Sequence, residues 1–216
     1  MKNLIRNELG EGWSEYSDQL GPILQRTLTE LNTLYNTGVV YPEKKKVFAA
    51  FRQCELDKIK VVIIGDIPYR GEQASGISFG KELSHMRTPC SCEAIHTVIE
   101  NTIHNGFKLY KDYDMKSYAK QGVLFLNSSL TVSADKKKDD VHKKIWNEFI
   151  SSMLSIIQLE NSSVIYVVWG RINSKLLLSL SPSSNILYNE NLPDGTFMSM
   201  SWECDHFKKT NHLINW

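Results

Sequence analysis

The sequence has no apolar run near the ~20 residues a helix needs to span a bilayer, so no membrane role is expected. Cysteines are few: Cys54, Cys90, Cys92 and Cys204. Cys90-x-Cys92 has the wrong spacing for a zinc knuckle and no second close pair exists, so no metal site is expected. All four are read as reduced, structural thiols. An excess of charge of one sign is also missing: 25 Lys+Arg against 24 Asp+Glu leave a net charge of +1. That total neither supports nor excludes a nucleic-acid partner, which would show in clustering. Met1 to Gly10 is polar, without the apolar stretch of a signal peptide. A cytoplasmic protein is expected, or a nuclear one in a cell with a nucleus. With no repeat and no low-complexity linker, residues 1–216 are read as one domain.

What is present is an alternation of short apolar runs and longer helical stretches. Residues 14–36 carry Leu20, Ile23, Leu24, Leu28, Leu31 and Leu34 at helical spacing. Tyr41-Pro42 interrupts the chain, and 43–53 reads as a short helix with Val47, Phe48 and Phe51 on one side. Lys60-Val-Val-Ile-Ile64 is a β-branched run ending at Gly65, as in a buried parallel strand. Val123–Leu126 and Val164–Trp169 read as two more strands, and Asn185–Tyr188 as a fourth. Helices are expected over 91–104, 141–159, 171–180 and 205–214. Such alternation predicts a three-layer α-β-α fold around a mostly parallel four-stranded sheet. Ligands of such sheets sit beyond the carboxyl ends of the strands. Gly65–Phe79, Asn127–Asp140, Gly170–Arg171 and Asn189–Cys204 are therefore the segments to inspect.

These segments resemble one family in order. Lys60-Val-Val-Ile-Ile-Gly-Asp-Ile-Pro-Tyr-Arg-Gly71 is similar to the water-activating loop of family-1 uracil-DNA glycosylases, K-V-V-I-L-G-Q-D-P-Y-H-G. Gln121-Gly-Val-Leu-Phe-Leu-Asn-Ser-Ser-Leu-Thr-Val132 resembles their uracil-binding strand, Q-G-V-L-L-L-N-x-x-L-T-V. Val167-Val-Trp-Gly170 resembles L-L-W-G. Val40-Tyr-Pro42 with Val47-Phe-Ala-Ala-Phe51, Cys204-Asp-His-Phe-Lys-Lys-Thr-Asn211 and Ile214-Asn-Trp216 complete the set. The likeness runs from about residue 40 to the end, and six motifs in order are highly specific.

The resemblance implies a protein that binds a uridine flipped out of DNA and hydrolyses its N-glycosidic bond, with no cofactor. It assigns base binding to Asn127, which reads the uracil edge, to Phe79, which stacks on the base, and to Tyr69, which closes the space of a thymine methyl. Read without it, the two rings are core residues and Asn127 a strand-end cap. The chemistry has been replaced. The family's catalytic Asp is Ile67, which neither accepts a proton nor carries charge. Asp66 lies one residue earlier, and adjacent residues of an extended loop point differently. Asp66 is retained as a weak catalytic and base-binding candidate, should the shortened loop Gly71–Phe79 be rebuilt. The family's loop His is Arg70. Its electrophilic His aligns with Asn191, which keeps one donor for the base. Its intercalating Leu aligns with Gly195, which has nothing to insert, beside a new charge at Asp194.

For the DNA backbone the candidates are Ser91, at a helix N-terminus, with Lys136, Lys137, Lys138, Arg70 and Arg171. A plain N-cap and a solvated loop are the structural readings of Ser91 and of the lysines. Lys44–Lys46 is read as surface and His206 as structural. The expected protein is a degenerate, monomeric homologue that excises uracil very weakly or not at all. It acts by binding uracil-containing or single-stranded DNA, a modified pyrimidine or a protein partner. One alternative is an active glycosylase of altered residues or base specificity. The other is a protein-interaction module without DNA binding.

Overall fold

In the computed structural model, residues 1–82, 91–103, 115–170, 176, 180, 184–191, 193 and 204–216 are described. The helices among them are α1 (Lys2–Leu9), α2 (Ser17–Thr37), α3 (Ala49–Gln53), α4 (Ser91–Thr102), α5 (Lys116–Ala119), α6 (Asp139–Glu160) and α7 (His206–Thr210). The strands are β1 (Val40–Tyr41), β2 (Val61–Gly65), β3 (Val123–Asn127), β4 (Val132–Ser133), β5 (Ile165–Trp169) and β6 (Asn185–Asn189).

The main sheet has the order β3-β2-β5-β6, and every pair is parallel. β2 and β3 are buried along their whole length, which is why their sequences are continuous apolar runs rather than alternating ones. Period two decides which face each side chain serves. Val62, Ile64, Leu124, Leu126, Tyr166 and Val168 join a core shared with α1, α2, α3 and α6. Val61, Ile63, Val123, Phe125, Val167 and Trp169 join a second core with α4, α7 and the C-terminal Trp216. These two cores make the three layers. The sheet order runs outward from β2 in both directions, so strand order reverses there. In parallel sheets that reversal is where ligands gather.

Four expectations need correction. The helix over 43–53 is a 3-10 turn at Lys44–Lys46 followed by α3; the Lys45 and Lys46 ammonium groups are drawn to Glu43 and Glu82, and that of Lys44 donates to Asn32. The last helix stops at Thr210. Residues 2–9, taken as a polar segment, form α1, because Ile5 and Leu9 are spaced to bury one face on α2 and α3. Cys92 is disulfide-bonded, with its partner outside the described residues; Cys54 and Cys204 are free and buried. The helix expected over 171–180 lies largely outside the described residues.

A buried polar node anchors α6 under β4. Thr131 Oγ1 accepts the Trp146 indole N–H at 2.8 Å and lies 2.8 Å from His142 Nδ1. On the other side of the sheet, Trp169 Nε1 donates to His206 Nδ1 at 3.0 Å. Both histidines are buried, and burial holds each imidazole below its ordinary 6.5 against the opposing pull of Asp139 or Asp205. Both are neutral in the fold while the unfolded chain begins to take up protons. The stability tied to the neutral rings is present above pH 6.5 and is lost as pH falls through the depressed folded values. Thermal melts should therefore show Tm dropping from about pH 7 to about pH 5. His142→Gln should flatten that slope, and a wild-type Tm independent of pH in this range would contradict the assignment.

Candidate pyrimidine site

The loop that leaves β2 and the end of β3 enclose a cavity of about 250 Å³. Its wall includes Asp66, Ile67, Tyr69, Phe79, Asn127 and Pro193. The three side chains assigned to base binding are thus brought together, although Asn127 is 58 residues beyond Tyr69 in the chain (127 − 69).

Crowding at Gly65 brings them close. A Cβ on Gly65 would lie less than 3.0 Å from Ser78 Oγ, Phe79 Cζ and Asn127 Oδ1. Only a residue without a side chain lets all three approach the strand end. Ser78 Oγ donates to Asn127 Oδ1 at 2.7 Å, and both residues are buried. The carbonyl oxygen of the buried amide is therefore satisfied, as a buried polar group requires. Ser78 was not singled out from the sequence; its place immediately before Phe79 was the available signal. Phe79 has φ +61, in the left-handed region, a conformation that costs a non-glycine residue about 1–3 kcal/mol. Its ring packs edge-on against Trp169, with centroids 5.2 Å apart, and its carbonyl accepts from Tyr69 Oη at 3.4 Å.

The carboxylate of this site belongs to Asp66 and is already engaged. Lys143 of α6 sets its ammonium 3.0 and 3.1 Å from the two carboxylate oxygens. Ser128 Oγ and the Ser129 N–H bond the Asp66 carbonyl at 2.9 and 3.0 Å. The residue that follows Asp66 and lines the cavity is the aliphatic Ile67. Arg70 is turned to the same helix: it pairs with Asp139, and its Nη1 donates to the Ser133 carbonyl at 2.5 Å. Asn191 is exposed beyond β6, with its N–H on Asn189 Oδ1, and is not part of the cavity wall.

Lys136, Lys137 and Lys138 form an exposed 3-10 turn, capped by the Asp135 carboxylate on the Lys137 N–H. They lead directly into Asp139, the partner of Arg70. Ser91 is the first residue of α4, and its side chain lies outside the described residues, as do Arg171, Asp194 and Gly195. Among the described residues no cluster of His, Cys, Asp or Glu is arranged to hold a metal ion.

The chain is 32% identical to a uracil-DNA glycosylase of Streptococcus mutans over 98% of its own length and 91% of the relative's. It belongs to the uracil-DNA glycosylase family. A uracil-DNA glycosylase of Amoebophilus asiaticus is 29% identical, over 95% of this chain and 94% of that protein. Among solved structures, the mimivirus enzyme carrying Y322L, in complex with UGI, superposes with a TM-score of 0.77 at 22% identity, covering 93% of this chain and 83% of that one. The enzyme from Nitratifractor salsuginis gives 0.66 at 17% identity, covering 99% and 96%. No protein-family model matches the chain.

Gly65→Ala tests the crowding. The added methyl should cost about 1–3 kcal/mol, as overpacking of a dense site does, and should lower the urea midpoint. An unchanged midpoint would mean that the three side chains separate freely.

Proposed function

We propose that this member of the uracil-DNA glycosylase family binds a pyrimidine in DNA, as a monomer, and cleaves its glycosidic bond very weakly or not at all. The observation that carries the reading is a division within one cavity. Tyr69, Phe79 and Asn127 surround the space for a base, while Ile67 supplies hydrocarbon where the family aligns a carboxylate, and Asp66 is paired with Lys143. A carboxylate that orients water must reach that water before its pKa matters. The Lys143 ammonium holds both oxygens of Asp66, so the nearest acid of the loop is poorly placed for the task.

Two further groups are altered in the alignment, the electrophilic His to Asn191 and the wedge Leu to Gly195. Loss of one acid, base or oxyanion donor commonly costs ~10²–10⁴ in rate. These groups serve one transition state, so their losses do not simply add. Substrate in which the base is already unstacked suits such a chain best, because extrusion itself costs a few kcal/mol.

The test is a single-stranded oligonucleotide with one uracil. Salt-sensitive binding is expected, since phosphate contacts release counterions, with no alkali-labile cuts. Asn127→Ala should weaken discrimination between uracil and cytosine oligonucleotides about tenfold, the worth of one to two buried hydrogen bonds. Cleavage at the rate of an ordinary family member would overturn the proposal in favour of an active enzyme. Absence of DNA binding would overturn it in favour of a protein-interaction module. Ile67→Asp alone should leave excision far below the family's level; near-normal excision by that variant would show that the remaining loop changes are harmless.

A further inference from the structure

The Asn127 amide can read a ligand in two opposite ways. It carries an acceptor, Oδ1, and a donor group, Nδ2, on the same carbon. A half-turn about the last side-chain bond exchanges them with almost no change of shape. What the cavity recognises therefore depends on which group is turned to the protein and which to the ligand.

Ser78 decides the side turned to the protein. Its Oγ lies 2.7 Å from Asn127 Oδ1, an ordinary length for O–H···O and a short one for N–H···O. Ser78 is 1% exposed, and among the described residues its hydroxyl makes no other hydrogen bond. With the amide turned over, Nδ2 would donate to Ser78 Oγ, and the hydroxyl proton would be left buried without an acceptor. An unpaired buried donor is the costly outcome. The hydroxyl is also held in place. The Ser78 N–H is tied to the Phe125 carbonyl at 3.2 Å, and Oγ occupies the space that a Cβ on Gly65 would fill.

The donor side then faces the ligand. Among the described residues Asn127 Nδ2 has no acceptor. It is not one of the polar atoms sealed inside the fold, and Asn127 lines the cavity. An NH2 group presented there calls for an acceptor on the ligand. A pyrimidine with an oxygen on carbon 4, such as uracil, supplies one, whereas cytosine sets an amino group against it, donor to donor. We propose that Ser78 is the positioning residue that makes the cavity choose 4-oxo over 4-amino pyrimidines, by holding Asn127 in one of its two orientations. Ser78 acts through Asn127, being no part of the cavity wall itself. The inference rests on the reading that a base occupies this cavity.

The test titrates the full chain with adenine tracts carrying one uracil or one cytosine, read by fluorescence anisotropy against the plain adenine tract. The wild type should prefer uracil to cytosine about tenfold, the cost of one buried donor left unpaired. Ser78→Ala should lower that preference to about twofold, chiefly through tighter binding of the cytosine strand. A hydroxyl that merely supported the fold would weaken both strands alike and leave their ratio unchanged. Ser78→Thr keeps the hydroxyl and should restore the wild-type ratio. Ser78→Cys, whose thiol donates weakly, should fall between the two and decides the matter if another variant fails to fold. A ratio unchanged in Ser78→Ala, with uracil still preferred to adenine, would overturn the proposal and leave the base reading intact. Equal binding of the uracil and plain adenine strands by the wild type would overturn the base reading and this proposal with it.

Discussion

The close approach at Gly65 is the constraint on which the site depends. At that strand end a hydroxyl, an aromatic ring and an amide converge on one Cα. The sheet places them there: β2 ends at Gly65 directly beside Asn127, the end of β3. The Ser78 N–H then bonds the Phe125 carbonyl at 3.2 Å and pins the returning loop to β3. Backbone pairing, a missing side chain and a strained Phe79 together make the cavity. The strain is tolerated because Trp169 and the hydrogen bonds around Ser78 over-determine the position.

The fold was largely legible. Continuous β-branched runs at 60–64 and 164–169 could bury on both faces only in a covered parallel sheet, and the leucine spacing of 14–36 gave α2. What failed to show has physical causes. α1 buries only two apolar residues, too few to mark a period in a polar segment. β1 and β4 are two-residue strands, paired antiparallel to each other, and a ladder that short leaves no pattern. At 44–46 the charges of three lysines shape a turn that hydrophobic spacing does not record.

The site was legible by residue and not by contact. Tyr69, Phe79 and Asn127 could be named from motifs, and their meeting around one cavity is a matter of fold. That Asp66 is paired with Lys143, and Arg70 with Asp139, was not available, because each partner lies roughly 70 residues away and salt bridges have no sequence period. The same holds for Ser78, whose bond to Asn127 crosses from a loop to the end of β3.

The two ion pairs from the β2 loop to α6 have a thermodynamic consequence. Asp66 and Arg70 bracket Ile67 and Tyr69, and both are fastened to the first two turns of one long helix. This wall of the cavity is preorganised. A ligand entering this cavity would meet a surface whose ordering entropy was lost when the chain folded, so little of its contact energy would be consumed in arranging the loop.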